Sequence, residues 1–344
     1  MTITSQPVLV TGASGFLAIH CIIQLLEQGY KVRGTLRTLA RDGEVRAAVC
    51  KYVGADERLS FVTVDLLQDA GWQAAIHGCE YVFHVASPFP LFEPENENDL
   101  IQPAVEGTLR VLRAAHDAHV NRVVLVSSNA AISAGYVGEK RTFTEADWSR
   151  LDKPIGAYAR SKTLAEHAAW DFINSGENTN KLELVTINPS LILGPIPNKD
   201  FPTSAELIKT YMKGEVPGVA WIKMAIVDVR DVASAMMLAM TTPEAAGERF
   251  LCSGDTPWIK DIADILSKHF SHSAYKRIPR MLVPSFMVRI LALFDKKIAR
   301  VMEGLDWDYE LSNEKCKRVL HWQPRPKEEA IISMAESLIE LGFV

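Results

Sequence analysis

Several features are scarce or missing in this sequence, and each absence narrows its function. No block of basic residues occurs: 37 Lys and Arg stand against 42 Asp and Glu in 344 residues, a formal net charge of −5. A nucleic acid is therefore not expected as a partner. The longest apolar run near the C-terminus, LVPSFMVRILALF, contains Pro284 and Arg289 and is too short to span a bilayer. We expect a core or interface helix there, not a membrane anchor, with a membrane-surface helix as the alternative.

Cysteine is also scarce, and no two cysteines form a C-x-x-C pair. An odd number of scattered thiols is typical of a reduced, cytoplasmic protein. The N-terminal stretch MTITSQPVLVTGASG has neither the basic nor the apolar segment of a signal peptide. His116 and His119 lie close together but have no third ligand nearby in sequence, so no metal site is predicted. The cysteines are Cys21, Cys50, Cys79, Cys252 and Cys316.

Apolar residues, in contrast, are plentiful and regularly spaced. Hydrophobic residues make up 48% of the chain, enough for a sizeable core. Short runs rich in Val, Ile, Leu or Phe alternate with helical patterns over residues 7–194. Strands covered by helices on both faces have this composition, so the sequence predicts an α/β fold, a Rossmann-like doubly wound parallel sheet. The predicted strands are 7–12, 31–37, 59–65, 81–87, 122–128 and 182–190, and the predicted helices are 15–28, 42–53, 68–77, 99–118 and 157–175.

The pattern changes after residue 194. A proline-rich loop at 195–202 precedes a predicted helix (204–213), strand (223–229), helix (230–240) and strand (248–254), and the remainder is mostly helical. We therefore predict two domains. They are a Rossmann domain of residues 1–190 plus about 223–250, and a smaller, mostly helical C-terminal substrate-binding lobe of about 191–222 and 251–344.

A glycine turn lies where the first predicted strand passes into the first helix. Gly12, Gly15 and Ala18 have the spacing G-x-x-G-x-x-A, a variant of the dinucleotide-binding fingerprint. Gly12 permits the tight turn, Gly15 lets a pyrophosphate approach the backbone, and Ala18 allows close packing of helix on sheet. The diphosphate would lie at the positive end of the helix. The alternative is a tight turn with no ligand.

The end of the second strand indicates which dinucleotide is bound. An acidic residue there binds the ribose 2′-hydroxyl of NAD, whereas an arginine accommodates the 2′-phosphate of NADP. This strand ends VRGTLRT, so Arg37 favours NADPH over NADH, and the Rossmann domain is predicted to bind NADP. The alternative is that Arg37 is a solvated charge. Asp65 ends the third strand and can accept a hydrogen bond from adenine, cap a helix, or do both.

Tyr158 and Lys162 lie four residues apart on a predicted helix and therefore share a face. Hydride transfer to a carbonyl builds negative charge on its oxygen, which a phenol can protonate. A nearby ammonium favours the phenolate and lowers the phenol pKa. Ser127 and Ser128 end the fifth strand, where a hydroxyl can share the developing charge. The alternatives are a polar helix start and a pair of turn-forming serines.

Six segments together resemble the extended short-chain dehydrogenase/reductases of the NAD-dependent epimerase/dehydratase superfamily. They are TGASGF, VFHVASP, PAVEGTLRVLRAA, VVLVSSNAAI, YARSK and NPSLILGP. The most similar branch is the group of dihydroflavonol 4-reductase, cinnamoyl-CoA reductase and yeast-type aldehyde (methylglyoxal) reductases, and the resemblance covers about residues 7–240. It implies reversible, NADPH-dependent reduction of an aldehyde or ketone by a Ser-Tyr-Lys mechanism.

The resemblance also implies roles for individual residues. Ser128, Tyr158 and Lys162 match the catalytic serine, acid and helper, and the last two also contact the cofactor. The sequence departs from the family at Ala18, which replaces a glycine, and at Glu106, where many members have Asn. The other residues matching cofactor contacts are Gly12, Ala13, Ser14, Gly15, Phe16, Leu17, Arg37, Asp65, Leu66, Val85, Ala86, Ser87, Pro189, Ser190, Leu191, Ile192 and, more weakly, Ser204.

Two other functions are compatible with a fold of this kind. One is an NAD-dependent nucleotide-sugar epimerase/dehydratase or 3β-hydroxysteroid dehydrogenase, against which Arg37 argues. The other is a non-catalytic dinucleotide-sensing protein, against which the Tyr–Lys pair argues. We expect a small carbonyl substrate, with an aromatic or apolar compound as one option, and a monomer or homodimer. The residues that would line an apolar pocket, or instead belong to the core, are Phe89, Phe92, Tyr211, Trp221 and Met224.

Overall fold

The structure is a computed structural model that describes residues 6–54, 57–87, 94–271, 278–294 and 304–344. Its strands, numbered within these ranges, are β1 (Val8–Val10), β2 (Val32–Leu36), β3 (Leu59–Thr63), β4 (Tyr81–His84), β5 (Arg122–Val126), β6 (Arg141–Phe143), β7 (Glu183–Pro189), β8 (Leu191–Leu193), β9 (Ile226–Asp228), β10 (Arg249–Cys252) and β11 (Tyr309–Leu311).

The helices follow the predicted alternation with the strands. Numbered in the same way, they are α1 (Phe16–Glu27), α2 (Asp42–Cys50), α3 (Trp72–Ile76), α4 (Asn98–Asp117), α5 (Gly156–Asn174), α6 (Ala205–Lys213), α7 (Val229–Thr241), α8 (Ile259–His269), α9 (Ser285–Ala292), α10 (Glu314–Leu320) and α11 (Lys327–Glu340).

Seven strands form one parallel sheet in the order β3-β2-β1-β4-β5-β7-β10. The strand order reverses between β1 and β4, where Val8 pairs with Val32 on one side and Tyr81 on the other. This confirms the predicted Rossmann-like, doubly wound fold. Ligands of such sheets bind beyond the carboxyl ends of the strands at the reversal point.

Alternating residues of each strand pack against helices on opposite faces of the sheet. Val8 and Val10 contact the apolar cluster formed with α1, α2, α7 and α10. Leu9 points the other way, into the cluster formed with α3, α4 and α5. Because helices cover both faces of the sheet, neither set of side chains is exposed to solvent. This explains why the strand sequences are continuous apolar runs.

A separate apolar cluster lies after β7. It joins residues of β8, α6, β9, α8, α9 and α11, including the buried Leu193, Ile208 and Leu338. Asp228 caps α7 by accepting a hydrogen bond from the Arg230 amide at 2.8 Å. Trp322, just beyond α10, packs instead with the sheet. The predicted division into two domains stays a prediction.

Two small parallel pairings were not predicted from the sequence. β6 pairs with β11, and β8 pairs with β9. β6, β8 and β11 have three residues each, too few for a periodic signal. β9 lies within the predicted strand 223–229, but its partner is distant in sequence. No helix within the described ranges has both the length and the apolar character needed to cross a bilayer.

Candidate active site

The glycine turn lies at the reversal point of the sheet. Gly12 has φ +65°, the left-handed region that glycine adopts without strain, and its amide donates to Thr35 Oγ1 at 3.0 Å. A Cβ added to Gly12 would lie 3.1 Å from the Cβ of Ala86, so the turn and the end of β4 are in close contact. Gly15 is followed directly by α1, whose amide end is the expected diphosphate site.

The remaining residues of the turn are held by the sheet and by α1. The buried Ala13 donates its amide to the Thr35 carbonyl at 2.9 Å. Phe16 begins α1, and Leu17 is buried against the sheet. The turn is therefore fixed in shape by backbone and core contacts.

Thr11 ties the turn to the end of β4. Its hydroxyl accepts hydrogen bonds from the amides of Val85 and Ala86, at 3.0 and 2.9 Å. It also lies 3.0 Å from Nδ1 of the buried His84. Ser87 follows Ala86 directly in the chain. Burial, and secondly the charge of Lys162, lowers the pKa of His84 to about 3. His84 is therefore neutral at physiological pH, and its Nδ1 shares a hydrogen bond with the Thr11 hydroxyl.

The predicted phosphate-binding arginine, Arg37, follows β2 directly and is exposed. Within the part of the chain that the structure describes, it makes no ion pair. Arg41, in contrast, donates to Ser14 Oγ at 3.0 Å and pairs with Glu44 and Asp200, each at 3.0 Å. Arg37 is thus available to an anionic ligand, whereas Arg41 is already engaged at the mouth of the turn.

Asp65 and Leu66, predicted to contact the adenine, lie just beyond β3. Oδ1 of Asp65 accepts the Leu67 amide at 3.0 Å within a turn. The next helix, α3, begins at Trp72 with Gly71 as its N-cap, so the predicted helix-capping role of Asp65 is wrong. A Cβ on Gly107 would lie 2.6 Å from Leu66, so this side chain packs tightly onto α4. The adenine contact of Asp65 stays a prediction.

The two serines at the end of β5 have different environments. Ser127 is buried, and its hydroxyl donates to Glu166 at 2.5 Å. The hydroxyl of Ser128 instead hydrogen-bonds the phenol of Tyr158 and accepts the Ala130 amide at 3.1 Å. The structure therefore separates a serine that faces the core from one that faces the phenol.

Tyr158 and Lys162 lie one turn apart on α5, as the spacing predicts. Burial raises the pKa of Tyr158 above its ordinary value, and the hydrogen bond with Ser128 opposes this rise. The direction is opposite to the lowering that the sequence suggested, because burial outweighs the charge-stabilising contacts. The phenol is accordingly protonated at neutral pH, which is the form that a proton donor requires.

Lys162 is buried, and its Nζ lies 3.4 Å from the Val126 carbonyl. Burial lowers the pKa of this ammonium to about 8, while the charge of Glu166 raises it. The lysine therefore titrates close to physiological pH. Ser128, Tyr158 and Lys162 thus meet at the carboxyl end of β5.

A network around Glu166 was not predicted from the sequence. Glu166 is fully buried one turn beyond Lys162, and it contacts Arg249, Asn188 and Ser127. The only sequence signal is its four-residue spacing from Lys162 along one helix face. Asn188 and Arg249 lie on β7 and β10, which are separate in sequence but adjacent in the sheet, so their convergence depends on the sheet topology.

The segment predicted to surround the nicotinamide runs from the end of β7 into β8 and comprises Pro189, Ser190, Leu191 and Ile192. The Ser190 amide donates to the Cys252 carbonyl at 3.1 Å, and that of Leu191 to Ala225 at 3.0 Å. The Ser190 hydroxyl is buried and has no hydrogen-bond partner among the described residues.

Ser204 immediately precedes α6 and makes no capping hydrogen bond with its side chain. Its role as a cofactor contact stays a prediction.

A large cavity begins beside Ser128, at Asn129 and Ala130, and has a volume of about 1230 Å³. Tyr211 and Met224 line it, as the sequence allowed, whereas Trp221 is outside the lining and packs edge-on against Trp258. The other two pocket candidates, Phe89 and Phe92, lie outside the described residues. Further apolar lining residues include Leu207, Val216, Val283, Val288, Leu291 and Trp307.

Family comparison accounts for the convergence of these segments. The sequence model of the NAD dependent epimerase/dehydratase family matches residues 8–252, which include the glycine turn, Tyr158 and Lys162. The chain belongs to this family. The resemblance to the extended short-chain dehydrogenase/reductases is thereby confirmed. In the described ranges, no group of three or more His, Cys, Asp or Glu side chains is arranged to hold a metal ion.

Reductases of several kinds are similar to this family member along most of its length. Tetraketide alpha-pyrone reductase 1 of Arabidopsis thaliana is 37% identical, covering 98% of this chain and 96% of that protein. Cinnamoyl-CoA reductase 1 of Petunia hybrida is 34% identical, covering 100% and 95%. The crystal structure of the yeast methylglyoxal/isovaleraldehyde reductase Gre2 complexed with NADPH is 29% identical, with a TM-score of 0.80 and coverage of 98% and 100%.

Proposed function

We propose that this chain is an NADPH-dependent reductase that converts an aldehyde or ketone into an alcohol, reversibly. The observation that carries the proposal is the hydrogen-bonded pair of Ser128 and Tyr158, with Lys162 buried one turn away on the same helix. This arrangement lies at the ligand edge of the sheet and beside the large cavity. The family membership and the reductases among its relatives support the same activity.

The residues around the turn fit a dinucleotide. Gly12 and Gly15 leave the amides at the start of α1 open to a diphosphate. Among the described residues, an added Cβ on Gly15 would approach only the Gly12 carbonyl, at 3.2 Å. The buried hydroxyl of Ser190 lacks a partner among the described residues and would gain one from a bound cofactor. Arg37 would pair with the 2′-phosphate of NADPH, which explains our preference over NADH.

The catalytic roles follow from the chemistry of the side chains. When bound, NADPH supplies the hydride. Ser128 would donate a hydrogen bond to the carbonyl oxygen and stabilise the charge that develops there. Tyr158 would donate its phenolic proton to that oxygen. Lys162 would hold the cofactor ribose and, with its positive charge, stabilise the phenolate that remains.

The cavity favours a substrate larger than a short-chain aldehyde. Its volume of about 1230 Å³ exceeds the roughly 300–1,000 Å³ of common ligand pockets. Its walls include the stacked pair Trp307 and Tyr309, whose ring centroids lie 4.3 Å apart. We therefore propose an aromatic or apolar carbonyl compound as the substrate. Turnover of aromatic and α-dicarbonyl compounds, compared in one NADPH-oxidation assay, tests this preference.

Replacing Tyr158 tests the proposed mechanism. Tyr158→Phe should lower turnover by about 10²–10⁴-fold, since it removes the proton donor, and it should leave NADPH affinity nearly unchanged. Turnover is measured by NADPH oxidation and affinity by fluorescence titration. The matched control is Tyr81→Phe, which should retain normal turnover because Tyr81 lies at the amino end of β4, whereas the candidate site lies at the carboxyl ends of the strands. Near-normal turnover of Tyr158→Phe would contradict the mechanism, and tightly bound NAD in the purified protein would contradict the cofactor assignment.

A further inference from the structure

Glu166 is a fully buried carboxylate beside the candidate active site, with 0% of its side chain exposed. Burying a charge is costly unless partners replace the lost hydration. A carboxylate at this position therefore requires a specific environment, and the described structure supplies one from three neighbouring strands of the sheet.

Each carboxylate oxygen of Glu166 has two close partners from the sheet strands and their ends, and Oε1 also accepts from Trp170 Nε1 of α5 at 3.4 Å. Oε1 accepts from Arg249 Nε at 2.7 Å and from Thr186 Oγ1 at 3.0 Å. Oε2 accepts from Ser127 Oγ at 2.5 Å and from Asn188 Nδ2 at 2.7 Å. These partners lie on β10, on β7 and immediately after β5, so one side chain of α5 is bonded to three adjacent strands.

The network is continuous with the proposed catalytic residues. Asn188 Nδ2 also donates to the carbonyl of Ser128 at 3.1 Å, which fixes the backbone that presents the Ser128 hydroxyl. Lys162 lies one helical turn before Glu166 and interacts with its charge. The guanidinium of Arg249 also donates through Nη1 to the carbonyls of Glu145 and Asp147, at 2.6 and 2.9 Å.

We propose that Glu166 is a positioning residue that keeps Lys162 positively charged and holds the strand end carrying Ser127 and Ser128. The proposal rests on the proposed function, because Lys162 is given its role there. Glu166 does not touch the reacting atoms. It would act through the ammonium on one side and through Ser127 and Asn188 on the other.

Other titratable and charged groups around this pair are few in the described residues. His84 of β4 interacts with Lys162, and it is neutral at physiological pH. His167 of α5 and Arg249 of β10 interact with each other, and His167 also interacts with Glu166. On α5 itself, Tyr158 lies one turn from Lys162 and is protonated. Glu166 is thus the acidic group whose charge acts on Lys162.

The sign of the electrostatic effect follows from the two opposing causes. Burial lowers the pKa of Lys162 to about 8, and Glu166 already raises it. Removing the negative charge would lower this pKa further, so Lys162 would lose its proton at a lower pH. Lys162 would then no longer stabilise the Tyr158 phenolate at neutral pH. Turnover would therefore decline at a lower pH than in the wild-type protein.

Two substitutions separate charge from shape. Glu166→Gln keeps the size of the side chain but removes the charge, whereas Glu166→Asp keeps the charge but shortens its reach. The matched control is Asp171→Asn, which removes an exposed acid from the same helix. The double variant Glu166→Gln/Arg249→Gln removes both members of the buried ion pair and serves if Glu166→Gln alone fails to fold.

The decisive measurement is the titration of Lys162 by NMR, in protein labelled at its lysine side chains and assigned with Lys162→Met. We expect the Lys162 pKa to fall by roughly one unit or more in Glu166→Gln, and to fall less in the double variant, which also removes the opposing positive charge of Arg249. It should stay close to wild type in Glu166→Asp and Asp171→Asn. The alkaline limb of the pH–turnover profile should move in the same direction. An unchanged Lys162 titration in both uncharged variants would overturn the proposal.

The titration also separates this proposal from the proposed function, because it requires neither cofactor nor substrate. The Lys162 pKa could fall in Glu166→Gln while the wild-type protein fails to oxidise NADPH with every carbonyl compound tested. That result would support the role of Glu166 and refute the reductase function. Normal reductase activity with an unshifted pKa would do the reverse.

Discussion

Replacing Gly12 with alanine tests whether the glycine turn has the conformation described. Gly12 has φ +65°, where an L-residue is disfavoured by roughly 1–2 kcal/mol. The new Cβ would also lie 3.1 Å from the Cβ and 3.2 Å from the Cα of Ala86, so β4 would have to move by a few tenths of an ångström. Overpacking of this kind costs about 1–3 kcal/mol. Gly12→Ala should therefore lower the free energy of unfolding by about 2 kcal/mol or more.

The matched control is Gly43→Ala on α2. A Cβ there meets nothing within 4 Å, and its backbone is not left-handed. Alanine restricts the unfolded chain more than glycine, so this variant should be as stable as wild type or more stable by about 0.4–1 kcal/mol. Urea unfolding followed by circular dichroism measures both variants. If Gly12→Ala unfolds at the same urea concentration as wild type, the described turn geometry is wrong.

Two further predictions concern cofactor choice and acid stability. Arg37→Ala should weaken NADPH binding about ten- to hundredfold, the value of a charge-assisted contact, and leave NADH binding nearly unchanged. Fluorescence titration measures both, with Lys31→Ala at the other end of β2 as control, and equal losses for the two cofactors would refute the 2′-phosphate assignment. His84 has its pKa lowered from 6.5 to about 3, so its contribution to stability is complete above pH 6.5 and is lost as the pH falls toward 3. His84→Gln should flatten the slope of unfolding free energy against pH in that window by up to about 1.4 kcal/mol per pH unit, and an unchanged slope would show that His84 is not buried and neutral.

The fold and much of the candidate site could be predicted because their signals are local. Continuous apolar runs such as VVLV indicate strands buried on both faces, and the spacing of Gly12, Gly15 and Ala18 indicates a strand-to-helix turn. The four-residue interval between Tyr158 and Lys162 places both side chains on one helix face. Each of these inferences depends on a few neighbouring residues, so no knowledge of the tertiary structure is needed.

The boundaries of short elements could not be predicted in the same way. β6 and β11 have three residues each, and their pairing joins segments far apart in the chain. The direction of the Tyr158 pKa was also missed, because it depends on how deeply the phenol is buried. Sequence spacing gives the neighbours of a side chain along a helix but not the amount of water that reaches it.

The sequence by itself determined the strand–helix alternation, the glycine turn and the helical Tyr–Lys pair, since backbone geometry converts short-range spacing directly into position. The family resemblance already assigned the catalytic role to Ser128. Only the tertiary structure decided that Ser127 bonds Glu166, and that Glu166 meets Arg249 and Asn188 beneath the site. The physical reason is the order of strands in the sheet. It brings β5, β7 and β10 side by side, and the burial of a charge depends on those long-range neighbours.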